Sequence, residues 1–272
     1  MLRFTRNDEL NRATSNPDGR SKLREKRKKI KMKAMVFAAG LGTRLQPLTN
    51  DKPKALVDIN SIPLLEIVLK KIIKSGFDEI VINVHHFAEQ IIRFLKERNN
   101  FGVDIFVSDE SEQLLDTGGG LKKASWFFDD GKAFLVYNVD VFSDIDLLDF
   151  YNFHIQSDSL ATLAVRNRET SRYLLFNKDN ILCGWKNIKT GEVIMARPEE
   201  KDLSPIAFSG IQVIDPRFFD FINQEGKFSI INSYLELAKT HKISAYNHDK
   251  TIWMDLGKKE NLIEAGKLID GI

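Results

Sequence analysis

A single cysteine, Cys183, stands among the 272 residues. One thiol excludes an internal disulfide and leaves no cysteine cluster for a structural zinc, which fits a reducing, cytoplasmic setting. No apolar run reaches the roughly 18 residues that a membrane-spanning helix needs. The string G-x-x-x-x-G-K-[ST] is missing, so the ATP-cradling P-loop is excluded; Gly118-Gly119-Gly120-Leu121-Lys122-Lys123 has the wrong spacing. Histidine is scarce, and the adjacent His85 and His86 have no metal-like partners, so both read as structural. No repeat of about 20 to 50 residues occurs, which removes solenoids and propellers.

What remains is an ordinary globular composition, 43% hydrophobic and 29% charged, with a net charge of +2. That balance hides an asymmetry. Residues 1–31 carry 11 Lys/Arg against 4 Asp/Glu, so the rest of the chain is net acidic. The basic stretch Arg20 to Lys31 reads as a solvated, disordered extension rather than a nucleic-acid or membrane arm, and it lacks the apolar segment of a secretory signal. Met32 is the expected physiological start. Residues 32–272 read as the folded unit.

From Lys33 the pattern alternates. Ala34 to Ala39 is a continuous apolar run, as a strand buried on both faces would be. Pro63 opens a run with helical spacing that Gly76 stops. Glu79 to Val84 predicts a strand, Phe87 to Arg98 a helix, Val103 to Ser108 a strand, Leu121 to Phe128 a helix and Ala133 to Asp140 a strand. Such alternation implies βαβ units around a parallel sheet. After Asp140 come a helix over Leu147 to Gln156 and short strands at 161–166, 173–177, 181–185 and 192–197, read as an antiparallel insertion. A strand over Ile206 to Asp215, helices after Pro216 and Ser229, the stretch "TIWMDLG" and a helix from Lys258 complete the chain.

The first strand breaks into Gly40-Leu41-Gly42-Thr43-Arg44-Leu45. A glycine turn after a strand aims backbone N–H groups at phosphate. Two glycines fit the dinucleotide fingerprint, but its third position is Leu45, and the next helix starts late. The loop instead gathers cations: Arg44, then Lys52 and Lys54. An arginine holds phosphate oxygens with two parallel bonds, and Arg44 with Lys54 would neutralise a triphosphate and a departing pyrophosphate. Asp140 ends an apolar strand, at the rim where α/β sheets bind ligands. Asp255 precedes a glycine in "TIWMDLG". Two such carboxylates suit Mg²⁺. Asp144, Asp146 and Asp149 suit a helix start. Gly118 to Gly120, placed before a helix, allow close backbone approach of a base or sugar. Trp185, Phe208 and Trp253 read as core or pocket wall.

These residues carry a resemblance. "AAGLGTRLQPLTNDKPKALVDI" (Ala38 to Ile59) resembles the signature of the sugar-1-phosphate nucleotidyltransferases. "LLDTGGGLKKA", "VYNVDVF", "IAFSGIQVIDPRFF" and "TIWMDLGKKENLIEA" resemble later blocks in the same order, so the likeness covers about residues 32 to 270. Within the family it is nearest to the short bacterial N-acetylmuramate-1-phosphate uridylyltransferases, then the mannose-1-phosphate guanylyltransferases. The resemblance implies a Rossmann-like α/β fold of the nucleotide-diphospho-sugar transferase type, similar to the A-type glycosyltransferases, with a mostly parallel mixed sheet and a small antiparallel insertion. It implies an NTP and a sugar 1-phosphate as partners, Mg²⁺ as cofactor, and neither nucleic acid nor membrane. It implies nucleotide contacts from Ala39, Gly40, Leu41, Gly42, Thr43, Glu110, Gly118 and Gly119. Arg44 and Lys54 would be catalytic, Asn138 and Gly210 would line the sugar side, and Asp140 and Asp255 would bind metal. Two departures stand out: Ala55 where the family often has proline, and Val139 in place of the glycine of N-G-D. No hexapeptide repeats of an attached acyltransferase follow. The rival readings are a non-catalytic nucleotide-sugar sensor on the same fold and, disfavoured by Leu45, an NAD-dependent oxidoreductase. The oligomeric state stays open.

Overall fold

The computed structural model describes residues 31–269. The basic extension therefore lies outside the described residues except for Lys31, whose ammonium pairs with Glu79 at 2.9 Å and Asp104 at 2.6 Å. The chain runs β1 (Met32–Phe37), β2 (Asp58–Ile59), β3 (Ile62–Pro63), α1 (Leu64–Lys74), β4 (Phe77–Val84), α2 (Ala88–Glu97), β5 (Asp104–Asp109), α3 (Asp116–Lys123), β6 (Phe134–Asn138) and β7 (Val141–Ser143). There follow α4 (Leu147–Ser157), β8 (Ala161–Arg166), β9 (Arg172–Phe176), β10 (Leu182–Asn187), β11 (Val193–Met195) and β12 (Ser204–Ile214). Last come α5 (Phe218–Phe221), α6 (Ile230–Leu237), β13 (Ile243–Asn247), β14 (Trp253–Asp255) and α7 (Lys259–Ile269).

The central sheet is mostly parallel where the phosphate loop emerges. β1 lies between β4 and β6, parallel to both, and β5 extends the parallel set beyond β4. On the other side β12 runs antiparallel to β6 and forks. Its second half pairs with β8, which carries β13 parallel on its outer edge, and its first half pairs with β9, leading to the antiparallel β10 and β11. The mixed sheet and the antiparallel lobe both follow the expected arrangement.

Strand β1 shows why the sheet sits where it does. All its residues from Ala34 are buried, and they alternate between two cores. Ala34 and Val36 pack with α1 and with Leu262 and Ala265 of α7. Met35 packs with Leu121 of α3 and Tyr234 of α6. A period of two on a strand covered on both faces gives this continuous apolar reading. In α1, Leu65, Val68, Leu69 and Ile72 form the buried stripe. Asp146 caps α4, its side chain accepting from the N–H groups of Leu148 and Asp149 at 2.9 Å each.

Two differences from the sequence reading matter. The helix expected over Leu121 to Phe128 begins at Asp116, so the three glycines lie inside it rather than ahead of it. Helix propensity opposes glycine there, and tertiary packing overrides it: a Cβ on Gly119 would lie 2.1 Å from the Gly226 carbonyl oxygen. The strand β13, which the sequence reading did not mark, owes its place to pairing with β8 along five register pairs.

Candidate active site

At the carboxyl end of β1 the chain leaves the sheet at Phe37. The Ala38 N–H donates 2.7 Å to the buried Asn83 Oδ1 on neighbouring β4. Asn83 Nδ2 in turn donates 2.7 Å to Glu110 Oε1, and Glu110 Oε2 accepts the Leu115 N–H at 3.1 Å. Glu110 is fully buried, and both its oxygens are taken up within the protein. It therefore acts as a post that fixes the loop after β1 relative to the start of α3. Gly120 packs against it, since a Cβ there would be 2.5 Å from Glu110 Oε1. Asn83 has no local sequence signal, because its partners come from two other strands' ends. His85 completes the group through Nδ1, 2.7 Å from the Glu110 carbonyl oxygen.

A cleft of about 340 Å³ opens beside this network. Ala39, Gly40, Lys54, Leu114, Asn138 and Asp140 are among the residues that line it. Gly40 is exposed and has open space around it. Leu41, Gly42 and Thr43 lead into a tight turn, Thr43–Leu45, that carries Arg44. Gly42 has φ +67°, and a Cβ there would be 2.9 Å from Thr49 and 3.0 Å from Lys54, so the loop folds back against the lysine it precedes. Leu45, which breaks the dinucleotide pattern, is fully buried and anchors the turn in the core. Lys52 pairs with Asp58 at 3.4 Å.

The charged centre joins the two ends of the described chain. Asp140 follows β6, and its carbonyl accepts the Leu256 N–H at 2.8 Å, just beyond the antiparallel pairing of Asp255 with Val141. The two carboxylates thus come together from adjacent backbones. The Lys54 ammonium hydrogen-bonds Asp140. The Arg44 guanidinium spans both acids, with Nη1 3.1 Å from Asp255 and Nη2 4.0 Å from Asp140. Burial pushes the Asp255 carboxyl up, but the Gly257 N–H at 2.8 Å, the Arg44 guanidinium and Lys54 outweigh it and hold the group below its ordinary value. Gly257 leaves room for this arrangement, since a Cβ would lie 2.4 Å from Arg44 Nη2 and 2.8 Å from Asp255 Oδ1 and would displace the guanidinium. A hard dication that prefers oxygen ligands fits this donor set, with both carboxylates facing one guanidinium. Among the described residues no cluster of three or more His, Cys, Asp or Glu forms a self-sufficient metal cage, so phosphate oxygens and waters would complete any such shell.

The remaining expected residues divide. Asn138 lines the cleft, and Gly210 stands directly behind it; a Cβ on Gly210, at φ +77°, would be 2.9 Å from Asn138 Nδ2. Val139 is buried and lines the cleft. Trp253 donates through Nε1 to the Ser209 carbonyl at 2.9 Å and carries the Arg168 guanidinium 4.3 Å above its ring. Gly118 and Gly119 do not line the cleft; their bare faces receive Phe228 and Gly226, while Asp116 and Thr117 supply the lining at that end. Asp116, Lys227 and Asn83 are cleft residues that the sequence reading missed.

The family model for nucleotidyl transferases matches residues 33–270. The chain belongs to the nucleotidyl transferase family. It is 28% identical over 240 residues to N-acetylmuramate alpha-1-phosphate uridylyltransferase from Caulobacter vibrioides, covering 85% of this chain and 94% of that one. A similar match, 29% identical over 84% of this chain, is to UTP–glucose-1-phosphate uridylyltransferase from Synechocystis, of whose length the aligned region spans only 60%. Among solved structures, HddC from Yersinia pseudotuberculosis complexed with GMP-PN aligns with TM-score 0.69 at 22% identity, over 88% of this chain and 99% of that one. That likeness establishes the nucleotidyl transferase fold. No described helix is long and apolar enough to cross a membrane.

Proposed function

We propose that this nucleotidyl transferase joins an NTP and a sugar 1-phosphate to give an NDP-sugar and pyrophosphate. The observation that carries the reading is the convergence of Asp140, Asp255, Arg44 and Lys54 beside a cleft that Ala39, Gly40, Lys54 and Asp140 line. A sugar-phosphate oxygen attacks the α-phosphorus in line. The new P–O bond forms as the bond to the β-phosphate oxygen breaks, and pyrophosphate leaves with the electron pair. No covalent enzyme intermediate is needed. Catalysis is positioning and charge neutralisation. Ala39 and Gly40 present backbone to the phosphates, and Arg44 and Lys54 neutralise the triphosphate and leaving group. Asp140 and Asp255 would hold Mg²⁺, which when bound supplies positive charge against the phosphate oxygens.

UTP with N-acetylmuramate 1-phosphate is the first choice of substrates. The Caulobacter relative so named matches over nearly its whole length, as does a Neisseria meningitidis relative at 30% identity. GTP with mannose 1-phosphate comes second, since a Yarrowia lipolytica relative carries that name at 29% identity. Asn138 and Gly210 take the sugar side, with Val139 narrowing it. Residues 32–272 serve as one catalytic unit, and the setting is the cytoplasmic supply of sugars for the cell wall or surface polysaccharide. A matrix of four NTPs against a panel of sugar 1-phosphates, read by pyrophosphate release, tests this. Release with one pair supports it. Nucleotide binding without release for any pair would favour the sensor reading instead.

A further inference from the structure

Arg44 and Lys54 are needed by the phosphates, yet both stand on the acids. Arg44 Nη1 lies 3.1 Å from Asp255 Oδ2 and Nη2 4.0 Å from Asp140 Oδ2, and Lys54 hydrogen-bonds that same Asp140 oxygen. Asp255 Oδ1 accepts the Gly257 N–H at 2.8 Å. The oxygens that suit a dication are therefore the ones that face the two cations. Two carboxylates against a guanidinium and an ammonium make a neutral centre. A dication added alone would leave that centre with two excess positive charges, and a triphosphate arriving with it restores the balance.

The two cations differ in how freely they can leave. The Lys54 side chain is only 10% exposed, lines the cleft and packs under Gly42, where a Cβ would be 3.0 Å from its own Cβ. It meets phosphate from where it stands. The Arg44 side chain is 58% exposed. Its backbone is fixed, since Leu45 is fully buried and the Leu45 N–H donates 2.9 Å to the Gly42 carbonyl. Its guanidinium, by contrast, ends a long stem that turns about several bonds. An exposed ion pair is weak and is readily given up, and a guanidinium bonds phosphate as well as carboxylate.

We propose that Arg44 is an exchangeable counter-ion of the metal site. It sits on Asp255 and Asp140 until a dication arrives with its triphosphate, and it then passes from the acids to the phosphates. Metal and nucleotide consequently bind with positive coupling, and each raises the affinity of the other by the same factor. Lys54 stays on Asp140 throughout. The inference rests on the assignment of Asp140 and Asp255 to the metal, and it is independent of which base and sugar are used.

The test uses the full chain and the variants Arg44→Gln, Asp255→Asn and the two combined. Mn²⁺ is titrated without nucleotide, with free ion counted by electron paramagnetic resonance. At low salt Arg44→Gln should bind Mn²⁺ about tenfold tighter than wild type, the repulsion between a unit charge and a dication at roughly 6 Å in the dielectric of water. The factor should shrink as salt rises, and adding Asp255→Asn should remove it. In EDTA, UTP or GTP should bind Asp255→Asn tighter than wild type, and that gain should vanish in the double variant, because the released Arg44 is what receives the phosphate. Mn²⁺ affinity that is unchanged or weaker in Arg44→Gln would overturn the exchange while leaving the metal assignment standing, provided Asp255→Asn weakens Mn²⁺ binding. A nucleotide gain that is missing, or that survives without Arg44, would also overturn it, the second being mere relief of repulsion. No Mn²⁺ bound by any of the four proteins would sink the exchange and the metal assignment together.

Discussion

Replacing Gly119 with alanine sets two effects of opposite sign against each other. In an ordinary helix the change stabilises by about 1 kcal/mol, because glycine has more backbone freedom to lose. Here the added methyl would sit 2.1 Å from the Gly226 carbonyl oxygen and 3.0 Å from Leu115 Cβ. An unstrained carbon–oxygen contact is about 3.3 Å or more, so the backbone at Gly226 must retreat by roughly 1 Å. Retreat strains the Gly118 and Gly119 bonds to Phe228, now 2.9 and 3.3 Å. Overpacking costs about 1–3 kcal/mol, and a weakened backbone bond about 0.5–1.5 kcal/mol. Together they exceed the propensity gain, leaving a net loss of about 1–3 kcal/mol. For a protein of this size the melting midpoint should fall by about 3–10 °C. The measurements are thermal and urea unfolding of Gly119→Ala beside wild type. A midpoint that rises or holds steady would refute the claim that these glycines are there to admit Gly226 and Phe228.

Other outcomes follow from the same geometry. Arg44→Ala or Asp140→Asn should lower turnover by about 10²-fold or more with the fold intact by circular dichroism; near-normal pyrophosphate release in either would remove that residue from the mechanism. Asn83→Ala should destabilise by about 2–4 kcal/mol, because it strands the Ala38 N–H and the buried Glu110 oxygen; a urea midpoint within error of wild type would contradict that. His154 and His248 are buried, and burial lowers each to about 4. A histidine held neutral in the fold but protonated in the unfolded chain takes stability away as pH falls from about 6.5 toward 4, with no effect above that window. The loss should reach about 2 kcal/mol per histidine at pH 5. Urea midpoints at pH 7 and pH 5 for wild type and His154→Gln would show it, and identical pH dependence in the two would exclude His154 as a source.

Much of this was legible in the chain, for identifiable reasons. The run Ala34 to Ala39 showed a doubly covered strand because every position is buried. Asp140 and Asp255 could be read because each ends an apolar stretch, where strand ends meet ligands. Gly118 to Gly120 misled, since their helix depends on Phe228 and Gly226, more than a hundred residues away. Lys227 was silent for a related reason: an exposed lysine looks like solvated surface until the bonds of Gly118 and Gly119 to the Phe228 carbonyl bring its neighbour to α3 and Lys227 to the cleft. Asn83 and Glu110 needed the sheet order before their bond could be seen. Local pattern revealed elements and strand ends, while cross-chain contacts decided what those ends do.

The Arg44–Asp255 pair joins positions 211 residues apart, with a timing consequence. Protein synthesis is vectorial, and domains generally fold as units. The glycine loop, Lys54, Asn138 and Asp140 are all made before β14 exists. Asp255 reaches Arg44 only when that strand docks on β7. A nascent chain short of β14 lacks one of the two carboxylates that face the arginine, and it lacks α7, whose Leu262 and Ala265 belong to the same core as Ala34 and Val36 of β1. Competence arrives with that segment, so the centre is withheld until the sheet strands around it have been made.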